Sequence, residues 1–144
     1  MLKVKLLTAA AKAPTVAHPG EDLGYDIYSA ETIVVPGRGH AVVSTGIAIE
    51  CSSPSGEKMG ALLRDKSSMA SRRLVLTGGV IDAGYRGEIR VLLENLGDLP
   101  AEIHAGDKIA NMIPYSVLTG EVEVVDDLST SSRKTGGFGS SGRS

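Results

Sequence analysis

The chain has 144 residues, the length of one domain and enough to enclose a hydrophobic core. Its formal net charge is −2 with acidic and basic residues mixed along the sequence, so nucleic acid is not an expected partner. No apolar run approaches the length of a membrane-spanning helix, and we expect no membrane association. The single cysteine, Cys51, cannot form a disulfide within the chain, which favours a reducing compartment, most simply the cytoplasm.

Short apolar runs bounded by glycine, proline and serine predict a chain of β-strands. The first run alternates apolar and polar side chains with a period of two, and a turn at residues 36–39 separates the second and third. The predicted strands are at residues 2–6, 33–35, 41–43, 47–49, 61–63, 74–76, 89–93, 109–113 and 122–125. Only residues 67–73 are expected to form a short helix. This pattern predicts an all-β, barrel or jelly-roll-like fold.

The sequence changes character at Ser129. The last sixteen residues hold six serines, four glycines, two threonines and three basic residues, and they contain no acid. We therefore predict a β-barrel domain at residues 1–128 and a flexible C-terminal arm at residues 129–144. Composition alone favours a disordered tail without a function, whereas the aromatic ring and the cluster of glycines favour a functional arm.

The arm contains Phe138, the only phenylalanine of a chain that has no tryptophan. Its glycine and serine neighbours cannot build a core around the ring, so its partner must be a ligand or another subunit. Accessible backbone amides and hydroxyls at Gly139 and Ser140, together with Arg133, suit phosphate oxygens. We interpret the arm as a flap that closes on a flat, anionic ligand such as a nucleotide.

A second candidate segment opens the predicted helix with Lys66, Ser67 and Ser68. A cation and two hydroxyls at a helix N-terminus favour an anion. The alternative is an ordinary serine N-cap beside a solvated lysine.

The third candidate segment runs from residue 76 to residue 87. Residues 76–79 are interpreted as a tight hairpin whose glycines let a ligand approach the backbone. Asp82 follows Val80 and Ile81, where its carboxylate is expected to be partly buried and to act as a general base. The alternative is that Asp-Ala-Gly-Tyr is ordinary turn chemistry.

Two polar residues lie within predicted strands. Asp26 stands between tyrosines and is either a partner of a metal–phosphate complex or a buried, hydrogen-bonded acid. Asn111 is the polar group inside the strand at residues 109–113. The histidines are isolated and there is no cysteine pair, so no transition-metal site built from side chains is expected.

Five segments in this order resemble the five motifs of the trimeric dUTP diphosphatases. The third and fifth segments are the most specific, and the resemblance spans residues 24–142. The segments are residues 24–30, 66–70, 79–87, 106–113 and 133–142.

The resemblance implies a homotrimeric, jelly-roll-like or β-clip barrel whose active sites are shared between subunits. It implies hydrolysis of dUTP to dUMP and pyrophosphate by water attack on the α-phosphorus, which keeps uracil out of DNA and supplies dUMP for thymidylate synthesis. Asp82 would hold and activate the water, and Tyr85 would lie under the deoxyribose. The backbone that would read the uracil edge includes Leu76, Gly79, Val80 and Ile81.

The resemblance also implies the phosphate contacts. Ser67 would bond the phosphate chain near the scissile bridge, while Phe138 stacks on the uracil. Mg²⁺ would be held mainly by the three phosphates, with Asp26 reaching it through water. The γ-phosphate would be clasped by Arg133, Gly139 and Ser140, and further expected substrate contacts are Lys66, Ser68, Arg90 and Asn111.

The chain departs from the family pattern at two positions. Lys66 replaces the usual arginine and loses its bidentate grip on phosphate. Asn111 replaces the usual glutamine and is one methylene shorter. Neither change removes a reacting group, so we expect activity to be retained.

Two other functions fit parts of this pattern. The related dCTP deaminases share the fold and an Ile-Asp motif, but their catalytic glutamate falls at Leu92 here, with Glu94 two residues further on. A dUTP-binding regulator without turnover is the other alternative, and it predicts binding without pyrophosphate release.

Overall fold

A computed structural model describes residues 1–139 of the chain. These residues form eleven strands and one short helix, which confirms the predicted all-β, jelly-roll-like class. The elements are β1 (Leu2–Leu6), β2 (Tyr25–Tyr28), β3 (Ile33–Val35), β4 (His40–Ser44), β5 (Ile47–Ser52), β6 (Lys58–Asp65), α1 (Ser67–Ala70), β7 (Leu74–Thr77), β8 (Val80–Ile81), β9 (Arg90–Asn95), β10 (Ala101–Ile103) and β11 (Lys108–Ser116).

The strands form three antiparallel sheets. The largest has the order β1-β5-β6-β11-β2, and β8 also pairs with β6. A three-stranded sheet has the order β4-β9-β7, and β10 pairs with β3. Because β6 contacts β11 along one edge and both β5 and β8 along the other, it lies at the centre of the largest sheet.

The core lies between the sheets and is filled by aliphatic side chains from alternate strand positions. In β4, Ala41 and Val43 point inward, and in β9 Val91 and Leu93 do so. This alternation is what the period-two patterns in the sequence predicted. Fully buried core residues include Ile27, Val35, Val43, Leu74, Ile89, Val91, Ile103 and Ile109.

The predicted helix is shorter than its sequence pattern indicated. It ends at Ala70, and the chain then turns through Arg73, whose φ of 63° is left-handed. Helix α1 is therefore a single turn. Within residues 1–139 there is no helix that is long and apolar enough to cross a membrane.

The strand predicted at residues 122–125 is wrong for the chain as described. Residues 117–139 contain no helix or strand, and Val122 and Val124 are 90 % and 94 % exposed. A strand needs a partner edge for its backbone hydrogen bonds, and none of the described strands pairs with this segment. Its alternating valines therefore face solvent.

Residues 76–79 do not form the predicted hairpin. β7 pairs with β9 in the three-stranded sheet, whereas β8 pairs with β6 in the largest sheet. The chain passes from one sheet to the other through Gly78 and Gly79, whose φ values are 70° and 94°. The segment is a crossing between sheets, and it needs glycine because both residues have left-handed φ.

We expect Gly79→Ala to destabilise the protein more than the matched change Gly78→Ala. Both substitutions place a side chain at positive φ, which costs about 1–2 kcal/mol. Only at position 79 would the new Cβ also lie 2.7 Å from the Leu63 carbonyl oxygen, while Gly78 faces open space. Urea unfolding should therefore show the larger loss for Gly79→Ala, by about a further 1–3 kcal/mol. Equal losses would contradict the close approach.

Candidate active site

Asp82 lies in a pocket of about 280 Å³ at the end of β8. Its backbone carbonyl accepts a hydrogen bond from the Tyr85 amide at 3.0 Å, which closes the turn after the strand. The Asp82 side chain is exposed, so the expectation of partial burial is wrong for this chain. The reason is that the chain leaves the sheet immediately after Ile81, which carries Asp82 beyond the core. The pocket is lined by Gly79, Val80, Ile81, Asp82, Tyr85, Glu88, Arg90 and Leu92.

Tyr85 is held in place at one side of this pocket. Its hydroxyl donates a hydrogen bond to the Glu88 carbonyl oxygen at 2.8 Å. Its ring packs over Gly87, where an added Cβ would lie 2.4 Å from the hydroxyl oxygen. The side chain remains 44 % exposed. The hydrogen bond of the hydroxyl and the contact with Gly87 therefore hold the ring in place, while part of the ring remains accessible to a ligand.

Glu88 lines the same pocket and was not singled out from the sequence. Its carboxylate accepts a hydrogen bond from the Ser44 hydroxyl at 2.5 Å and pairs with Arg90 Nε at 3.6 Å. Arg90 thus lies in the Asp82 pocket, oriented by an acid whose side chain is only 19 % exposed. The signal was available, since Glu88 directly follows the third segment and precedes the buried Ile89.

The backbone of residues 76–80 borders a neighbouring pocket of about 370 Å³. The Leu76 amide donates to Asp65 Oδ1 at 2.5 Å, and the Leu63 amide donates to the Gly79 carbonyl at 2.7 Å. These bonds fix the position of the crossing against β6. Leu76, Gly79 and Val80 therefore lie together as predicted, although they do so on a crossing and not on a hairpin.

Asp26 lies on β2 at the centre of a second cluster of charges. Oδ1 accepts from Lys66 Nζ at 2.6 Å and Oδ2 accepts from Lys108 Nζ at 2.9 Å. Burial opposes ionisation of this carboxyl, yet the hydrogen bonds and charges of the two lysines hold its pKa below the ordinary value. The hydrogen bond that Lys108 donates to Asp26 raises the pKa of Lys108. Asp26 is therefore a largely buried, ionised acid between two cations.

We expect Asp26 to make stability depend on pH in acid. Because its folded-state pKa is lowered, ionised Asp26 stabilises the fold above the unfolded-state pKa of about 3.9. This contribution is lost as the pH falls through the folded-state pKa. The unfolding free energies of wild type and Asp26→Asn should differ by about 1–3 kcal/mol at pH 7 and converge in acid. A difference that stays constant down to pH 2.5 would contradict the ionised state.

A β-bulge places Lys108 on the same side of the sheet as Asp26. On β2, Tyr28 pairs with Lys108 and Ile27 with Ala110, so the register shifts by one residue between Lys108 and Ala110. Without that shift, the alternation of β11 would point Lys108 to the opposite face. The sequence alone gave no signal for the bulge, and Lys108 was not among the predicted site residues.

The Asp26 cluster borders a pocket of about 560 Å³. Asn111 pairs with Asp26 in the β-ladder and lines this pocket, together with Lys66 and Lys108. Ser67 and Ser68 lie on α1 with exposed side chains, and Lys66 occupies the N-cap position without a side-chain cap hydrogen bond. The serine N-cap alternative is therefore wrong. Lys66 and Asn111 lie in one pocket with Asp26.

The arm residues are not brought to either pocket in the described chain. Arg133 Nε donates to the Gly136 carbonyl at 2.7 Å, and Phe138 is fully exposed. Gly139 has a φ of 87°, and Ser140 lies outside the described residues.

The two charged pockets lie far apart within one chain. Ile81 pairs with Ala61 of β6, so Asp82 lies beside Gly60. Asp26 pairs with Asn111 of β11, and Asn111 pairs in turn with Arg64 of β6. The two aspartates are therefore four residues apart along the direction of β6. With about 3.3 Å per residue and 4.8 Å per strand, the path along the sheet over β8, β6, β11 and β2 is on the order of 20 Å long. One chain therefore carries two separate candidate pockets, which share no lining residue.

Known proteins resemble the chain over nearly its whole length. Residues 9–142 match the model of the dUTPase family. The chain belongs to the dUTPase family. A deoxyuridine 5'-triphosphate nucleotidohydrolase from Clostridium tetani is 42 % identical over 146 residues, which cover 99 % of this chain and 97 % of the relative. This confirms the resemblance carried by the five segments.

Solved structures of family members have the same fold. The dUTPase of Staphylococcus bacteriophage 80alpha with dUpNHpp superposes with a TM-score of 0.86, at 32 % identity and 99 % coverage of both chains. A variant of the dUTPase from phage phi11 of S. aureus, in which a structural Mg(II) ion is coordinated, gives a TM-score of 0.79 at 29 % identity, covering 90 % of this chain and 99 % of the phage chain.

Proposed function

We propose that this protein hydrolyses dUTP to dUMP and pyrophosphate by attack of water on the α-phosphorus. The observation that carries the proposal is the match of residues 9–142 to the dUTPase family, with Asp82 and Tyr85 together in an accessible pocket. The relatives described above are named for the same reaction. Hydrolysis of dUTP keeps uracil out of DNA and supplies dUMP for thymidylate synthesis.

Asp82 acts as the general base in this proposal. Its exposed carboxylate accepts a proton from a water molecule whose oxygen forms a bond to the α-phosphorus. The bond from the α-phosphorus to its oxygen bridge breaks, and pyrophosphate leaves with that oxygen. Tyr85 provides a fixed surface for the sugar, and Arg90 contributes a cation beside the same pocket.

The uracil is read at the crossing between β7 and β8 in this proposal. Polar backbone groups of Leu76, Gly79, Val80 and Ile81 provide donors and acceptors in fixed positions. A pocket of this kind rejects cytosine because the hydrogen-bonding groups of the pocket are left unpaired when cytosine is bound. Unpaired groups of this kind lower the affinity for the wrong base. Thymine is rejected in this proposal because a close-fitting crossing has no space for its methyl group.

Asp26 is compatible with Mg²⁺ bound through water. Both of its oxygens accept from lysines, but a carboxylate offers about four lone-pair positions, so it can also accept from a metal-bound water. Among residues 1–139 no group of three or more acidic, histidine or cysteine side chains is arranged to hold a metal directly. Mg²⁺ would therefore be held chiefly by the triphosphate, where it supplies charge neutralisation.

A homotrimer with shared sites would bring the two halves together. A base and a metal partner that serve one phosphate must lie within a few hydrogen-bond lengths of it, whereas Asp82 and Asp26 of one chain lie in pockets that share no lining residue and are on the order of 20 Å apart along the sheet. The exposed apolar side chains of residues 117–128 support association with another copy. We propose that one subunit supplies Asp82, a second Lys66 and Ser67, and a third the arm at residues 129–144 with Arg133, Phe138, Gly139 and Ser140.

The two alternative functions have less support. Leu92 lies in the Asp82 pocket at the position of the deaminase glutamate, so that chemistry lacks its proton acceptor. The accessible Asp82 argues against a regulator without turnover. A cytoplasmic location remains part of the proposal, supported by the single, buried and unpaired Cys51.

Pyrophosphate release tests the proposal. The protein would be incubated with Mg²⁺ and, in separate reactions, dUTP, dCTP, dTTP and UTP. We expect turnover of dUTP alone. Deamination of dCTP would favour the deaminase alternative, and tight dUTP binding without pyrophosphate release would favour the regulator.

A further inference from the structure

Lys108 and Lys66 are held on the two oxygens of a single carboxylate, although they come from distant parts of the sequence. Lys66 Nζ lies 2.6 Å from Asp26 Oδ1 and Lys108 Nζ lies 2.9 Å from Asp26 Oδ2. The bulge at the start of β11 is what turns Lys108 to this side of the sheet. The Asp26 side chain is 13 % exposed, so the carboxylate forms the floor of the cluster.

The cluster carries a net positive charge that its own members do not neutralise. Two ammonium groups share one carboxylate, and they lie close enough to repel each other. Each ammonium has three donors and uses one on Asp26, which leaves two for other acceptors. Lys66 and Lys108 are 28 % and 47 % exposed, and both border the pocket of about 560 Å³.

The two acids at the rim of the pocket form no ion pair with Lys66 or Lys108 among those found within residues 1–139. Asp22 already accepts a hydrogen bond from the His18 amide at 2.8 Å and pairs with the His18 ring at 3.4 Å. Glu21 is exposed at the same rim. The two ammonium groups are thus available to an anion with several acceptor oxygens.

We propose that Lys108 is a further substrate-binding residue, which contacts the triphosphate together with Lys66, and that Asp26 is the positioning residue that holds both ammonium groups toward the pocket. The inference rests on the proposed function, because a triphosphate is the anion that the site must bind. Two cations on one carboxylate also offer an explanation for the tolerated loss of arginine at position 66. A lysine makes one point contact where arginine makes a fork, and Lys108 supplies the second contact.

The test measures binding of dUpNHpp and dUMP by calorimetry in EDTA, so that metal held by Asp26 makes no contribution. We expect Lys108→Met to weaken dUpNHpp binding by roughly tenfold or more, with dUMP affinity changed by less than about threefold. Lys108→Arg should restore most of the affinity. The matched control is Lys3→Met, which removes a lysine from the exposed pair with Glu50 at 3.5 Å and should leave both affinities unchanged.

Asp26→Asn distinguishes positioning from simple electrostatics by the sign of its effect. Deleting a negative charge beside a triphosphate should tighten binding if the lysines keep their places. Binding should weaken by severalfold if Asp26 holds them. Tighter dUpNHpp binding by Asp26→Asn would overturn the positioning role, and unchanged binding by folded Lys108→Met would overturn the role of Lys108. Failure of the wild type to hydrolyse dUTP would instead overturn the proposed function and this inference with it.

Discussion

Asp82→Asn is expected to lower kcat for dUTP hydrolysis by about 10²–10⁴-fold, the contribution of a positioned general base. Asparagine has nearly the same shape but cannot accept the proton of the attacking water. Because Asp82 is exposed and makes no ion pair among those found within residues 1–139, its replacement should leave stability almost unchanged. Pyrophosphate release measures kcat, and calorimetry with dUpNHpp in the presence of Mg²⁺ measures binding.

Two further variants make this result specific. Asp98→Asn removes an equally exposed carboxylate, which pairs with Arg38 at 2.7 Å away from the Asp82 pocket, and should retain full activity. Glu88→Gln removes the charge of the acid that pairs with Arg90 without removing the base, and we expect a smaller loss of about 2–10-fold, on the scale of one ordinary hydrogen bond. If Asp82→Asn retained more than a tenth of wild-type kcat, Asp82 would not be the base.

Most strands were predictable because their patterns are local. The alternation at residues 2–6 marks β1 with its observed bounds, and the apolar run at residues 89–93 falls on β9 with an offset of one or two residues. Each strand needs only its own side chains to show which face is buried. Asp26, Lys66 and Asn111 were each singled out from the sequence, but their place in one pocket became visible only in the structure.

The features that escaped prediction depend on pairing between distant strands. The bulge that turns Lys108 toward Asp26 arises from the register of β11 against β2. The segment at residues 76–81 has glycines typical of a hairpin, but its two strands find partners in different sheets. The alternating valines at residues 122–125 have the pattern of a strand, but within residues 1–139 no strand edge pairs with them. No local pattern encodes which edge a strand joins.

Deletion of residues 129–144 is expected to lower kcat/KM for dUTP by at least about 100-fold while leaving dUMP affinity nearly unchanged. Ordering about ten backbone residues costs on the order of 10–20 kcal/mol, whereas stacking of Phe138 on a base returns only about 1–3 kcal/mol. Contacts to the triphosphate must therefore supply much of the remainder, and dUMP cannot make them. Phe138→Ala should lose only the stacking contribution, about 5–100-fold. If the deletion lowered kcat/KM no more than Phe138→Ala does, the ring alone would account for the contribution of the arm to kcat/KM.

Mixing the arm deletion with Asp82→Asn asks whether one site draws on different subunits. Each variant alone lacks a group that every site needs, so each is expected to be nearly inactive. If Asp82 and the arm of one site come from different subunits, random reassembly gives about a quarter of the sites both intact groups, and activity should return to about that level. If both groups come from the same subunit, no reassembly can restore activity. The recovered fraction therefore tests the shared site independently of any structure of the assembly, since it depends only on which chain carries each group.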